Sequence, residues 1–135
     1  MGLAQADSLA GPWQRCSTLN PIPIDPVWVE NPIVTKLPDG TFIALFDGGP
    51  RETFAYTTSK DGLKWSEGVD IKLEPAVKKW WTKMRTPLGL IAEEDGTFTV
   101  FYTAMAGKFT DKDKFSSVAM VRLKLKKPNE TSPSD

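Results

Sequence analysis

A phrase that occurs twice limits what this chain can fold into. "ENPIVTKLPDGTFIALFD" (Glu30 to Asp47) and "RTPLGLIAEEDGTFTVFYT" (Arg85 to Thr103) align with one inserted residue before a shared "DGTF". Their offset of about 55 residues falls among the periods that build propellers and solenoids. In each copy an apolar, β-branched run meets an Asp-Gly pair and then a second such run. Asp-Gly supplies the backbone angles of a tight hairpin turn, so each copy predicts two antiparallel strands joined end to end. "FAYTTSKDGLKWS" adds a third strand to the first copy, and "FSSVAMVRLKLK" adds one to the second. Each unit reads as a meander of three or four antiparallel strands, the construction of a propeller blade. A pair of hairpins in a sandwich is the alternative.

The rest of the chain agrees with an all-β fold. Helical periodicity is nearly absent, while short apolar runs alternate with Gly and Pro. Strands are expected at 32–37, 41–47, 53–59 and 69–73, and again at 87–92, 97–104 and 117–125. Three prolines in "LNPIPIDP" make 19–26 an extended connector. The organisation expected is the end of a preceding blade at 1–18, a first complete blade at 19–81, a second at 82–126 and a disordered polar tail at 127–135. A chain of 135 residues suits one modest domain.

Composition removes several kinds of function. Seventeen Lys and Arg balance seventeen Asp and Glu without a basic stripe, so nucleic acid and anionic membranes are poor partners. The chain has no histidine, which excludes Ser-His-Asp and Cys-His catalysis and His-based zinc sites within it. A single cysteine, Cys16, excludes an internal disulfide framework. No cofactor or metal is expected. The N-terminal residues lack the pattern of a signal peptide, and no apolar run has the length of a membrane span. Localisation stays open. Asn129-Glu130-Thr131 is formally a glycosylation sequon and carries little weight without a secretion signal.

Three short motifs carry a resemblance. "TTSKDGLKWSE" resembles the Asp-box-like turn of carbohydrate-active propellers, with Asp61 bonding to turn amides, Gly62 at positive φ and Trp65 plugging a gap between sheets. This turn is expected to hold a blade together and to touch no substrate. "ADSLAGPW" is similar to the blade-ending phrase of five-bladed propeller glycoside hydrolases, families 43 and 32 and their relatives. Glu30-Asn31-Pro32 looks like the start of the innermost strand that carries their general acid. Together the motifs cover roughly residues 6–126, two recognisable blades. The resemblance implies a glycoside hydrolase-like segment that binds or acts on carbohydrate, with Glu30 as the acid.

If the repeats are equivalent, Glu30 and Arg85 stand at the entrances of adjacent innermost strands and face a common pocket. Burial beside Trp28 and Val29 would raise the pKa of Glu30 toward that of a usable acid. Arg85 would hold a substrate hydroxyl or carboxylate, or else keep Glu30 ionised. Trp28, Trp80 and Trp81 are candidate platforms for sugar faces, with one of the Trp80–Trp81 pair also read as a plug between blades. Asp47, in "FDGG", is either a site residue or a turn cap. An interblade Glu30–Arg85 ion pair is the structural alternative.

Glycoside hydrolysis needs a second carboxylate across the scissile bond, roughly 5–5.5 Å from the first for retention or 6.5–9.5 Å for inversion. In the families resembled, it comes from earlier blades, and here Asp25 is the only acid near Glu30 in sequence. The chain is therefore expected to be incomplete as a catalyst alone. Its alternative is a non-catalytic carbohydrate-binding or self-assembling module. Bare strand edges and blade faces predict a homo-oligomer, such as three copies closing a six-bladed ring, or completion by other blades.

Overall fold

Both Asp-Gly-Thr turns close in the same way. The computed structural model describes residues 1–26, 29–48, 52–72, 80–107 and 115–124. In the first turn the Leu37 amide donates to the Thr41 carbonyl at 2.7 Å, and the Gly40 amide donates to Leu37 at 2.9 Å. Glu93 to Thr97 at 2.9 Å and Gly96 to Glu93 at 3.1 Å are their counterparts. Asp39 and Asp95 each accept the amide of the following threonine, at 2.9 and 3.0 Å. Gly40 and Gly96 adopt φ of 87° and 77°, angles that a Cβ disfavours.

The fold is all-β. An N-terminal pair, β1 (Ala4–Gln5) and β2 (Gln14–Arg15), forms a small antiparallel sheet that no motif announced. The first repeat makes a four-stranded antiparallel sheet in the order β3 (Glu30–Lys36), β4 (Phe42–Asp47), β5 (Ala55–Ser59), β6 (Val69–Asp70). The second makes a three-stranded antiparallel sheet in the order β7 (Lys83–Ala92), β8 (Phe98–Ala106), β9 (Phe115–Leu123). Every expected strand is present, although the one expected at 69–73 is strand only at Val69–Asp70. β7 starts at Lys83 rather than at 87, and its register shifts on both sides of Pro87. A proline has no N–H to give a ladder, so the strand bulges around it. Residues 127–135, expected to be a disordered tail, lie outside the described residues, as does the sequon.

The two sheets stack in repeat order. Leu45 of β4 packs with Val100, Tyr102 and Ala104 of β8, and Phe54, Met84 and Trp81 complete this core. Phe54 and Tyr102 meet edge-to-face across it, with centroids 5.8 Å apart. A backbone bond from the Met84 amide to the Glu52 carbonyl, 2.8 Å, ties the sheets at one end. Full burial of each large side chain here is worth about 1.5–3 kcal/mol. The other face of the first sheet carries Phe46 and Ala55, and it is covered by Ile22 and Ile24 of the connector. Gly68 permits that close approach: a Cβ there would sit 2.9 Å from the Phe46 ring and 3.0 Å from the Ile24 carbonyl.

The Asp61 turn forms as expected. Its carboxylate accepts the Leu63 and Lys64 amides, both at 2.8 Å, and the Ser59 hydroxyl at 3.1 Å. Those bonds, the Lys64 amide first, hold the Asp61 carboxyl below its ordinary value. Gly62 sits at φ 74°, and the Trp65 indole donates to the Gly62 carbonyl at 3.0 Å. Trp65 fills a different gap from the expected one. It packs with Ile22, Ile24 and Phe46, between the first sheet and the connector rather than between the two larger sheets.

Candidate functional site

Strands β3 and β7 lie beside each other, with the starts of both at one end of the stack. At that end the repeats converge residue on residue. Asn31, which follows Glu30, donates from Nδ2 toward Thr86 Oγ1 at 3.5 Å, and Thr86 follows Arg85 in the second copy. The same amide donates to Asp47 Oδ1 at 3.0 Å. Positions equivalent by sequence therefore touch in space.

The local backbone explains how. Asn31 adopts φ 48°, among non-glycine residues a conformation that asparagine tolerates best. Pro32 follows it without an N–H, and the β3–β4 register shifts between Glu30 and Ile33. This bulge leaves Asn31 exposed at the strand start while its amide reaches back under the hairpin. Glu30 itself pairs in register with Asp47. Residues directly opposite on antiparallel strands project from one face, so Glu30 and Asp47 stand side by side.

Asp47 is the unusual member. It is 1% exposed, and its Oδ2 meets no hydrogen-bond partner. A buried carboxylate oxygen without a donor is costly, on the order of 1–3 kcal/mol or more. The turn that Asp47 is expected to cap runs into residues 49–51, which lie outside the described residues; the side chain takes the Asn31 amide and faces the second sheet, as Leu45 does two residues earlier.

The other expected site residues divide. Glu30 and Arg85 are both partly buried at this end, and among the described residues no ion pair joins them. Of the Trp80–Trp81 pair, Trp81 fits the plug reading, and its role as a sugar platform is corrected. It is 7% exposed in the core between the sheets, and its indole bonds Tyr102, so no ring face is open to a sugar. Trp80 is 48% exposed and keeps the accessibility of a stacking platform. Trp28 lies outside the described residues. Asp25 is not the partner of Glu30. It lies beside Gly68 on the Phe46 face of the first sheet, away from Asp47.

Sequence reasoning missed Asn31 and Thr86. The signal was available in the repeat, since both occupy the position after a singled-out residue. A hollow of about 380 Å3 beside the Asp61 turn is a weaker candidate site. The carboxylate there already takes three donors from its own turn.

Among the described residues, no group of three or more His, Cys, Asp or Glu is placed to hold a metal ion. Among the same residues, no helix is long and apolar enough to cross a membrane. In comparisons with known proteins, no family model, curated protein or solved structure matches the chain.

Proposed function

We propose that this chain is a segment of a glycoside hydrolase-like β-propeller that binds carbohydrate at the joint mouth of β3 and β7, and that it does not hydrolyse sugars alone. The observation that carries the reading is the meeting of the repeat equivalents Asn31 and Thr86 beside Asp47, whose second oxygen lacks a donor. Glu30, Arg85 and Thr86 supply acceptors and donors suited to sugar hydroxyls. The stacking of the sheets in repeat order is how propeller blades follow one another, and it supports the larger architecture.

Geometry favours binding over catalysis. A hydrolase sets its two carboxylates on either side of the scissile bond. Asp47 sits next to Glu30 on the same hairpin and is buried, so it leaves no room for a sugar between them. Titration of the chain with neutral pentose and hexose oligosaccharides, followed by NMR, tests this. Shifts at β3 and β7 amides that weaken at least tenfold in Arg85→Ala, with no product released, are expected. Absence of binding across the panel overturns the carbohydrate reading. Release of reducing sugar that Glu30→Gln abolishes overturns the non-catalytic part alone.

A further inference from the structure

Among the described residues, one outer face of the sheet stack is covered and the other is bare. In β4 and β8, the repeat makes Leu45 and Phe101 equivalent, and likewise Phe46 and Tyr102. The Leu45 face of the first sheet is buried against the Tyr102 face of the second. The Phe46 face is buried under Ile22 and Ile24, with Met1 and Leu3 packed around them. Among the described residues, only the Phe101 face has no cover. Phe101 is 37% exposed, Ile91 49%, Met120 62% and Val118 67%. Register places Gly89, Phe101 and Met120 in one row across the three strands. A Cβ on Gly89 would touch the Phe101 ring at 3.5 Å, so the ring lies over the glycine.

We propose that two copies of this chain pack these outer faces against each other about a two-fold axis. The face is the repeat counterpart of one that already buries a sheet, so it has the width and twist to take another. A head-to-tail partner would have to offer the counterpart of the Tyr102 face. Each chain has two such faces: one is used between its own sheets, and the other is covered by its connector. The open face of a second copy remains, and a patch that meets itself closes as a dimer. The six-bladed ring expected from the sequence needs the head-to-tail contact that the connector blocks. This inference does not depend on carbohydrate binding.

Size sets the strength. Nine-residue strands are about 30 Å long, and three of them span about 14 Å. A footprint on the order of 400 Å2 before side-chain relief is smaller than the ~800 Å2 per partner of a tight complex. Dissociation in the micromolar range is therefore expected.

Sedimentation equilibrium of the full chain from about 1 to 200 µM tests the proposal. Mass should rise from 15.0 kDa toward twice that value and stop. Val118→Lys and Met120→Lys, both at exposed positions, should each weaken association at least tenfold while leaving the circular dichroism spectrum and melting temperature unchanged. With Cys16→Ser, a cysteine introduced by Met120→Cys and treated with a short bismaleimide should give covalent dimers and no higher species. A monomer at every concentration, a dimer that ignores both lysine substitutions, or masses climbing past two chains would each overturn it.

Discussion

Asn31 does two jobs that can be separated. It holds a left-handed backbone angle, and among the described residues it gives buried Asp47 its one side-chain donor. Glycine keeps the angle and removes the donor, so Asn31→Gly should cost about 1–3 kcal/mol by stranding the carboxylate. Alanine removes the donor and also strains the backbone, so Asn31→Ala should cost about 1 kcal/mol more. Urea unfolding of the two variants reads both costs, and equal midpoints would show that the angle carries no strain. Tyr102 is the second residue whose chemistry is exposed to test. Burial pushes its phenol above the ordinary 10.0, with the Trp81 indole bond partly offsetting this. A raised folded-state pKa means the stabilising term is complete below pH 10 and is lost as pH climbs through the folded value. Tyr102→Phe should therefore unfold less steeply above pH 10 than the parent, although it is weaker at pH 7 by about 1 kcal/mol for the lost bond. Melting curves at pH 7 and at pH 10–11 check the sign. Neither residue's role was legible in the sequence. Trp80 and Trp81 are neighbours of the same type, and only the turn of β7 onto the first sheet buries one and leaves the other 48% exposed.

Turns and strands are local, and that is why they were readable. The Asp-Gly-Thr phrase encodes its own hydrogen bonds, and the alternation on either side fixes which residues point inward once the turn closes. Two substitutions isolate the backbone contribution. A Cβ on Gly40 or Gly96 would meet nothing within 4 Å, so Gly40→Ala and Gly96→Ala should each cost about 1–2 kcal/mol from the positive φ alone. Matching costs, measured by chemical denaturation, would show that the repeats share turn energetics as well as geometry. A cost below about 0.5 kcal/mol at either would show that the turn relaxes into another type. Two of the element boundaries that escaped the sequence involve proline. Pro32 and Pro87 occupy equivalent positions, and each sits in a register shift that lets the strand start before it. Read alone, an X-Pro pair marks an element boundary. Here a neighbouring strand supports the bulge, and that support is tertiary. The same holds for the candidate site, whose residues Asn31 and Thr86 meet only because β3 and β7 lie side by side.

At the scale of the whole molecule, the repeat explains the stacking order but not what covers the outer faces. Each sheet depends on a neighbour for burial, because a three- or four-stranded sheet with one apolar face bare is marginal in water. The core between the sheets draws Leu45 and Phe54 from one repeat, and Met84, Val100 and Tyr102 from the other. Neither sheet completes it alone. The sheets should therefore unfold as a single unit, even though the sequence divides them into two blades. Met84, 1% exposed at the junction, is the position to test. Met84→Ala should cost about 2–5 kcal/mol through lost contacts and the cavity left behind. The cost should fall on both sheets together: hydrogen exchange at the β4 and β8 amides should accelerate by the same factor. If β8 exchange accelerates while β4 is unchanged, the first sheet stands on its connector side alone. Phe46, Ile22 and Ile24 would then be enough to hold it, and the two repeats would be separate folding units that only touch.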